Sequence, residues 1–136
     1  MTILEKFNTT LVEVNTKKNT TELYEYLVKN CGPSCPTIRT YENLLPGCIS
    51  KTYLSGIMKD GKMYFEITGE SKVVQGMGQL LCHLFSNQTP EEIVNFQFSN
   101  LLQLNYTQWL ESARQNGFKQ MFIRIRQLAE KHKNKQ

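Results

Sequence analysis

The spacing of apolar residues changes from helical to alternating and back to helical along the chain. Helical spacing over roughly the first 20 residues, followed by a candidate cap at Thr20 or Thr21, predicts two N-terminal helices. Two runs rich in β-forming residues follow, SKTYLSGIM and KMYFEIT, and Asp60-Gly61 joins them. An Asp-Gly pair between two such runs predicts a β-hairpin with a two-residue turn.

Beyond the hairpin the apolar residues return to a helical period. Ser71 is a suitable N-cap for this helix, and Gly76 and Gly78 within it predict close packing against another element. Its predicted apolar face consists of Val73, Val74, Met77, Leu80, Leu81, Leu84 and Phe85. Thr89 and Glu92 have the spacing of a capping box and predict a further helix start.

A last long helix is predicted to begin near Thr107. Its apolar stripe consists of Leu110, Ala113, Gly117, Met121, Ile125 and Leu128. These elements predict an α+β fold, in which helices cover one face of a small antiparallel sheet. We expect a third strand that the sequence does not locate, and a single domain over residues 1–136.

Composition and charge narrow the function classes. No apolar run reaches the roughly 18 residues of a membrane span, and the segment MTILEKF lacks the features of a secretory signal. We therefore expect a cytoplasmic protein with free thiols at its four cysteines, Cys31, Cys35, Cys48 and Cys82. Much of the net charge of +4 lies in the segment FIRIRQLAEKHKNKQ. Cations are favourable at the C-terminal end of a helix, and no nucleic-acid-binding motif accompanies these residues.

Cys48 is the strongest candidate for chemistry. It follows Pro46-Gly47, a turn signal, and turns lie at the surface, whereas cysteine is usually buried. Gly47 lets another molecule approach closely, Ser50 offers a hydrogen bond and Lys51 offers a cation. These residues leave two interpretations open, a reactive loop thiol and a packed one.

The other thiols carry weaker signals. Cys31 and Cys35, with Cys48 further on, have spacing compatible with part of a zinc site, but no matching second pair follows. Cys82 is expected to be a small buried hydrophobe. His83, in the same predicted helix, is a candidate partner for a loop thiol, and the sequence does not show whether the two meet.

Four segments, taken in order, resemble one family. LPGCISKTYL resembles the active-site loop of the SufE family, the sulfur-acceptor proteins of iron–sulfur cluster assembly. GKMYFEITGESKVVQGMGQLL, QTPEEIVNF and LESARQNGFKQMFIRIRQLA are similar to the strand and helix, the Thr-Pro helix and the Ser-x-Arg-x-x-Gly segment that follow it in the family. The resemblance covers Leu44 to about Ala129, while residues 1–43 depart from the family pattern and residues 130–136 form a basic tail.

The resemblance implies a role for particular residues. In the family, a pyridoxal-phosphate cysteine desulfurase forms a persulfide on its own cysteine, and the loop thiol of the acceptor takes the outer sulfur. The matching thiol is Cys48, flanked by Gly47 and Ser50, and Arg114 matches the arginine of the family. Arg114 either forms a salt bridge or cap on the last helix, or is a cation that stabilises the Cys48 thiolate or docks the desulfurase.

The resemblance also implies partners. They are a SufS-like desulfurase and a SufB-like scaffold, and the protein would be an accessory with no cofactor and no metal of its own. No nucleic-acid or membrane partner is expected, and a homodimer stays open. The apolar neighbours Leu44, Leu45 and Ile49 suggest that the loop packs against the domain between transfers.

Two other functions stay open. SufE-like domains share their general fold with cluster scaffolds of the NifU/IscU kind, so a metal- or cluster-binding scaffold would use Cys48 with Cys31 and Cys35. A desulfurase-binding module would need no reaction at Cys48.

Overall fold

A computed structural model describes residues 1–29, 36–46, 50–104 and 110–133 of the chain. The helices and strands of this part are α1 (Ile3–Asn15), α2 (Thr20–Lys29), β1 (Thr52–Lys59), β2 (Lys62–Gly69), α3 (Lys72–Phe85), α4 (Pro90–Asn95) and α5 (Ser112–Lys133). Short 3-10 turns lie at Pro36–Ile38, Tyr41–Asn43 and Phe98–Leu104. The predicted α+β fold is confirmed. Within the described residues, no helix has both the length and the apolar character needed to cross a membrane.

The hairpin forms where the Asp-Gly pair predicts it. β1 and β2 are antiparallel, in a register that runs from Thr52 opposite Gly69 to Lys59 opposite Lys62. Asp60 and Gly61 have φ angles of 53° and 81°. A two-residue turn with positive φ at both positions matches the right-handed twist of the strands it joins.

The expected third strand does not form in the described residues. The sheet there has two strands, and each outer edge carries a single isolated bridge, from Leu44 to Tyr53 and from Gln88 to Met63. The segment before β1 cannot extend further, because the 3-10 turn Tyr41–Asn43 precedes Leu44 and a proline follows closely.

A buried glutamine closes part of the outer edge of β2. The Gln75 side chain is 5% exposed. Its Oε1 accepts from the N–H of Gly69 at 2.6 Å, and its Nε2 donates to the carbonyl of Ile67 at 2.9 Å. The amide thus takes the place of a neighbouring strand for two backbone groups, one at the buried Ile67 and one at the half-buried Gly69.

The residues after α3 close the rest of that edge. The Ser86 hydroxyl accepts from the N–H of Phe65 at 3.0 Å. Asn87 donates its N–H to the carbonyl of Met63 at 2.7 Å, and Met63 donates to the carbonyl of Gln88 at 2.8 Å. Hydrogen bonds from Gln75 and from the residues after α3 thus hold α3 along the outer edge of β2.

The predicted helix caps are mostly confirmed. Ser71 accepts from the N–H of Val74, and Thr89 forms a capping box with Glu92. The cap predicted at Thr20 or Thr21 is wrong by one or two positions, because the side chain of Asn19 accepts from the N–H of Glu22 at 2.9 Å. Asparagine is among the strongest N-cap residues, so it takes this role from its threonine neighbours.

Close packing at Gly78 is confirmed, and the element it meets is β2. A Cβ atom at Gly78 would overlap the side chain of Ile67. Glycine here lets α3 lie against the inner face of the hairpin, and a larger residue would overpack the core.

The stripe predicted on the last helix is only partly correct. Gly117, Met121 and Ile125 are buried as predicted, and the buried face also contains Phe118, Phe122 and Ala129. The described helix begins at Ser112, and residues 105–109, where we expected its start, lie outside the described residues.

Candidate functional site

The loop that contains Cys48 (residues 46–51) has two arms at the start of the sheet. The first arm, residues 40–45, leads into the loop, and the second arm, Ser50 and Lys51, leads from it into β1. Leu44 forms its bridge with Tyr53, and the N–H of Leu45 donates to the carbonyl of Thr52 at 2.8 Å. On the other arm, the Thr52 hydroxyl donates to the carbonyl of Ser50 at 3.1 Å. Both ends of the loop are thereby held at the first residues of β1.

Gly47, Cys48 and Ile49 lie outside the described residues, as do Cys31 and Cys35. Their roles therefore stay predictions. Of the apolar neighbours expected to pack the loop onto the domain, Leu45 is buried and Leu44 is half-buried.

Ser50 and Arg114 line the same pocket, which has a volume of about 160 Å³. The pocket lies between the second arm of the loop, the first turns of α3 and the first half of α5. Val74 and Met77 contribute the wall from α3, and Met121 contributes part of the wall from α5. Two residues named from the sequence thus line one pocket although they lie far apart along the chain.

Sheet pairing explains why α3 reaches this pocket. Because Thr52 lies opposite Gly69, the end of β2 returns to the second arm of the loop. The N–H of Glu70 donates to the carbonyl of Lys51 at 3.2 Å, and α3 begins immediately afterwards. Sequence reasoning assigned Ser71 only a capping role, and its place on the pocket wall depends on this pairing.

Arg114 occupies an electrostatically unfavourable position. It lies in the first turn of α5, where the positive end of the helix dipole disfavours a cation. The ion pairs recorded among the described residues do not include Arg114, although Glu111 also lines the pocket. Of the two interpretations of Arg114, the salt bridge is therefore not realised in this part of the chain, and the pocket holds a half-buried cation.

Cys82 behaves as the sequence predicts, as a small buried hydrophobe. Its side chain is 3% exposed. Burial, with a smaller contribution from the charge of Glu66, raises the pKa of the Cys82 thiol to about 12. Because the thiolate is the nucleophile, this thiol is inert near neutral pH.

This inertness gives a direct prediction. Iodoacetamide at pH 8 is expected to leave Cys82 unmodified in the folded protein and to modify it in guanidinium chloride, since unfolding removes the desolvation that suppresses the thiolate. Peptide mass mapping of the two samples measures the difference. Equal modification of Cys82 in both samples would contradict the buried position.

His83 does not share the pocket of Ser50 and Arg114. It lies nine residues after Val74 on α3, which corresponds to about 13 Å along the helix axis. It lines a separate pocket of about 510 Å³ together with Lys6 and Cys82. Partial burial, and secondly the charge of Lys6, lower the pKa of His83. The structure thus places the candidate histidine away from the loop arm at Ser50.

The described residues contain no group of three or more His, Cys, Asp and Glu side chains that could hold a metal ion. The proposed metal ligands Cys31, Cys35 and Cys48 all lie outside those residues, so a metal site that uses them stays a prediction.

Comparison with known proteins identifies relatives of this chain. A protein of Rhizobium meliloti (strain 1021), named an uncharacterized SufE-like protein, is 29% identical over 116 residues, which are 79% of this chain and 82% of that protein. A protein of Synechocystis sp. with the same kind of name is 28% identical over 102 residues, which are 73% of this chain and 64% of that protein. The chain therefore spans slightly less than two thirds of the second relative.

A solved structure shares the fold. The solution structure of a hypothetical protein from Thermus thermophilus superposes with a TM-score of 0.74 at 13% identity, over 93% of this chain and 94% of that one. The family described as SufE, Fe-S metabolism associated domain, matches residues 8–129. Since this match includes most of the chain, the protein belongs to the SufE family, whose domain is associated with Fe–S metabolism.

Proposed function

We propose that this protein is a sulfur acceptor that takes persulfide sulfur from a cysteine desulfurase onto Cys48 and passes it to an iron–sulfur cluster scaffold. The observation that carries this proposal is the pocket shared by Ser50 and Arg114. Ser50 is two residues from Cys48, and Arg114 is a half-buried cation without an ion-pair partner in the described residues. Membership of the SufE family supports a role in Fe–S metabolism.

The transfer needs a thiolate on the acceptor. The thiolate of Cys48 attacks the outer sulfur of the desulfurase persulfide, a new S–S bond forms on Cys48, and the S–S bond on the desulfurase breaks. The desulfurase cysteine leaves as a thiolate, and the loaded Cys48 carries the persulfide. Electrons balance within the exchange, so the acceptor needs no cofactor and no external oxidant or reductant.

Three residues named from the sequence have supporting roles in this proposal. An unperturbed thiol is only a few per cent ionised near pH 7, and a nearby cation favours the thiolate, which is the role assigned to Arg114. Ser50 offers a hydrogen bond in the same pocket. Gly47 permits the close approach of the partner protein.

The partners in this proposal are those that the resemblance to the SufE family implies. The donor is a SufS-like, pyridoxal-phosphate-dependent desulfurase, and the recipient is a SufB-like scaffold. The protein is proposed to act in the cytoplasm as an accessory and not as a self-sufficient enzyme. Cys82 does not compete for the sulfur, because it is buried and its pKa is about 12.

Transfer of sulfur from labelled cysteine tests the proposal. The protein is incubated with a cysteine desulfurase and cysteine that carries radioactive sulfur, and the two proteins are then separated without reductant. We expect label on this protein that dithiothreitol releases and that requires the desulfurase. Label confined to the desulfurase would contradict the proposal.

Substitution of Arg114 is expected to slow sulfur loading. Arg114→Gln should reduce the loading rate at pH 7 by roughly tenfold, the effect of a tenfold smaller thiolate fraction. The loss should shrink as the pH rises, because alkaline solution forms the thiolate without help from a cation. Lys119→Gln, an exposed charge removal on the same helix, is the matched control. Equal rates for the two variants over the whole pH range would exclude this role of Arg114.

A further inference from the structure

We propose that Arg124 is a positioning residue that holds the first arm of the Cys48 loop in place for sulfur transfer. Its Nη1 donates to the carbonyl of Glu42 at 3.2 Å, and its Nη2 donates to the carbonyl of Leu44 at 3.3 Å. The two acceptors lie two residues apart, immediately before the loop. One guanidinium thus joins the middle of α5 to the segment that leads to Cys48.

The arm has few other attachments to the body of the domain. Its turn is held internally, by the N–H of Asn43 to the carbonyl of Thr40 and by the N–H of Leu44 to the carbonyl of Tyr41. Its attachments to the sheet are the hydrogen bond from Leu45 to Thr52, the isolated bridge of Leu44 and the buried side chain of Leu45. Further back, Arg39 donates to the Thr68 hydroxyl at 3.4 Å. The two bonds from Arg124 add an attachment to α5 at the last residues before the loop.

Arginine suits this position for a geometric reason. A guanidinium presents two terminal N–H₂ groups held apart in a rigid plane, so each of them meets a different carbonyl, whereas the three N–H donors of lysine share one nitrogen on a flexible stem. Arg124 is half-buried, and its recorded hydrogen bonds in the described part of the chain all go to this arm. The sequence indicated only a basic helix end here, and the structure gives one of those charges a specific contact.

The same helix provides a matched control. Arg126, two residues further on, pairs with Glu130 on its own helix at 3.5 Å, and both side chains are about half exposed. Such an exposed pair within one helix contributes little to stability. Arg126→Gln therefore removes the same charge from α5 without touching the loop arm.

The expected effect of Arg124 on sulfur transfer rests on the proposed function, whereas its hydrogen bonds to the arm do not. α5 contacts the first arm through Arg124 at Leu44, and its Arg114 lines the same pocket as Ser50 of the second arm. Loosening the first arm should leave the fold intact and reduce the fraction of molecules in which the loop is placed for attack.

Amide hydrogen exchange and sulfur loading, measured on the same variants, test the proposal. In Arg124→Gln we expect the N–H of Leu45 to exchange about tenfold faster, because a charge-assisted anchor of its arm is lost. Amides paired within β1 and β2 should exchange at the wild-type rate. The rate of loading onto Cys48 by a cysteine desulfurase and cysteine should fall several-fold. Arg124→Lys should restore part of both, and Arg126→Gln should match the wild type in both.

Each measurement can overturn the proposal. Leu45 exchange that is equal in Arg124→Gln and Arg126→Gln would exclude the contact as an anchor. Faster exchange with unchanged loading would exclude a role in transfer. If the wild-type protein itself takes no sulfur, the proposed function fails, and exchange at Leu45 still decides whether Arg124 positions the arm.

Discussion

Replacement of Cys48 by serine is expected to abolish the stimulation that this protein gives a cysteine desulfurase. In the proposed function, the acceptor accelerates turnover by removing sulfur from the persulfide of the desulfurase. A serine hydroxyl in place of the Cys48 thiol is not ionised near neutral pH and does not displace a thiolate from sulfur. Release of alanine from cysteine, measured at saturating acceptor, reports the effect. We expect the rate with Cys48→Ser to equal that of the desulfurase alone.

Cys82→Ser is the matched control for this variant. It makes the same chemical change at a thiol that is 3% exposed and has a pKa of about 12. Cys82→Ser should therefore keep the stimulation, provided that circular dichroism shows an unchanged fold. Full stimulation by Cys48→Ser would instead identify the protein as a binding module in which the thiol does not react.

Substitution of Gln75 is expected to have the largest effect on stability. Gln75→Leu keeps a similar volume but leaves the carbonyl of the buried Ile67 and the N–H of the half-buried Gly69 without these partners. A buried unsatisfied group costs about 1–3 kcal/mol and a half-buried one less, so the free energy of unfolding should fall by about 2–3 kcal/mol. This is a large fraction of the roughly 5–15 kcal/mol that stabilises a typical domain. Equilibrium unfolding in urea, monitored by circular dichroism, measures the change.

Gln79→Leu is the control for the loss of an amide from α3. Gln79 lies one turn after Gln75, is half-buried and has no recorded hydrogen bond in the described part of the chain. We expect its replacement to change the free energy of unfolding by about 0.5 kcal/mol or less. Equal destabilisation by the two variants would mean that the amide of Gln75 does not close the edge of β2.

Local sequence signals predicted the elements that depend on neighbouring residues. The Asp60-Gly61 turn needs only two residues that accept positive φ, and the caps at Ser71 and Thr89 need only a side-chain oxygen near the first free N–H groups. The prediction missed the cap at Asn19 although asparagine is the stronger N-cap, because three adjacent polar residues, Asn19, Thr20 and Thr21, leave the start of the helix uncertain by one or two positions.

Features that depend on tertiary contacts were not predictable in the same way. In the sequence, Gln75 is a polar residue in a largely apolar helix. Its hydrogen bonds to the backbone of β2 form only because α3 lies along the edge of that strand. For the same reason, the expected third strand is replaced by an isolated bridge at each edge in the described residues.

The candidate site also combines residues that the sequence named with contacts that only the structure shows. Ser50 and Arg114 were named from the sequence, and the structure places them in one pocket. The sequence also assigned Arg124 to a basic helix end, whereas its contacts with Glu42 and Leu44 depend on how α5 crosses the loop arm. Residue type thus indicated the chemistry, and only the packing of helices against the hairpin determined which residues meet.

The competing scaffold function makes a different prediction. A metal- or cluster-binding scaffold would retain zinc or iron through purification, and substitution of Cys31 or Cys35 would remove it. A sulfur acceptor needs neither cysteine for loading. Metal analysis of the purified protein and of these two variants therefore separates the two functions.

The most direct test of sulfur transfer is the intact mass of the protein after incubation with a cysteine desulfurase and cysteine, followed by peptide mapping without reductant. We predict a gain of one sulfur atom that maps to the peptide containing Cys48 and disappears in Cys48→Ser. An unchanged mass, or a gain that persists in Cys48→Ser, would contradict the assignment of Cys48 as the acceptor.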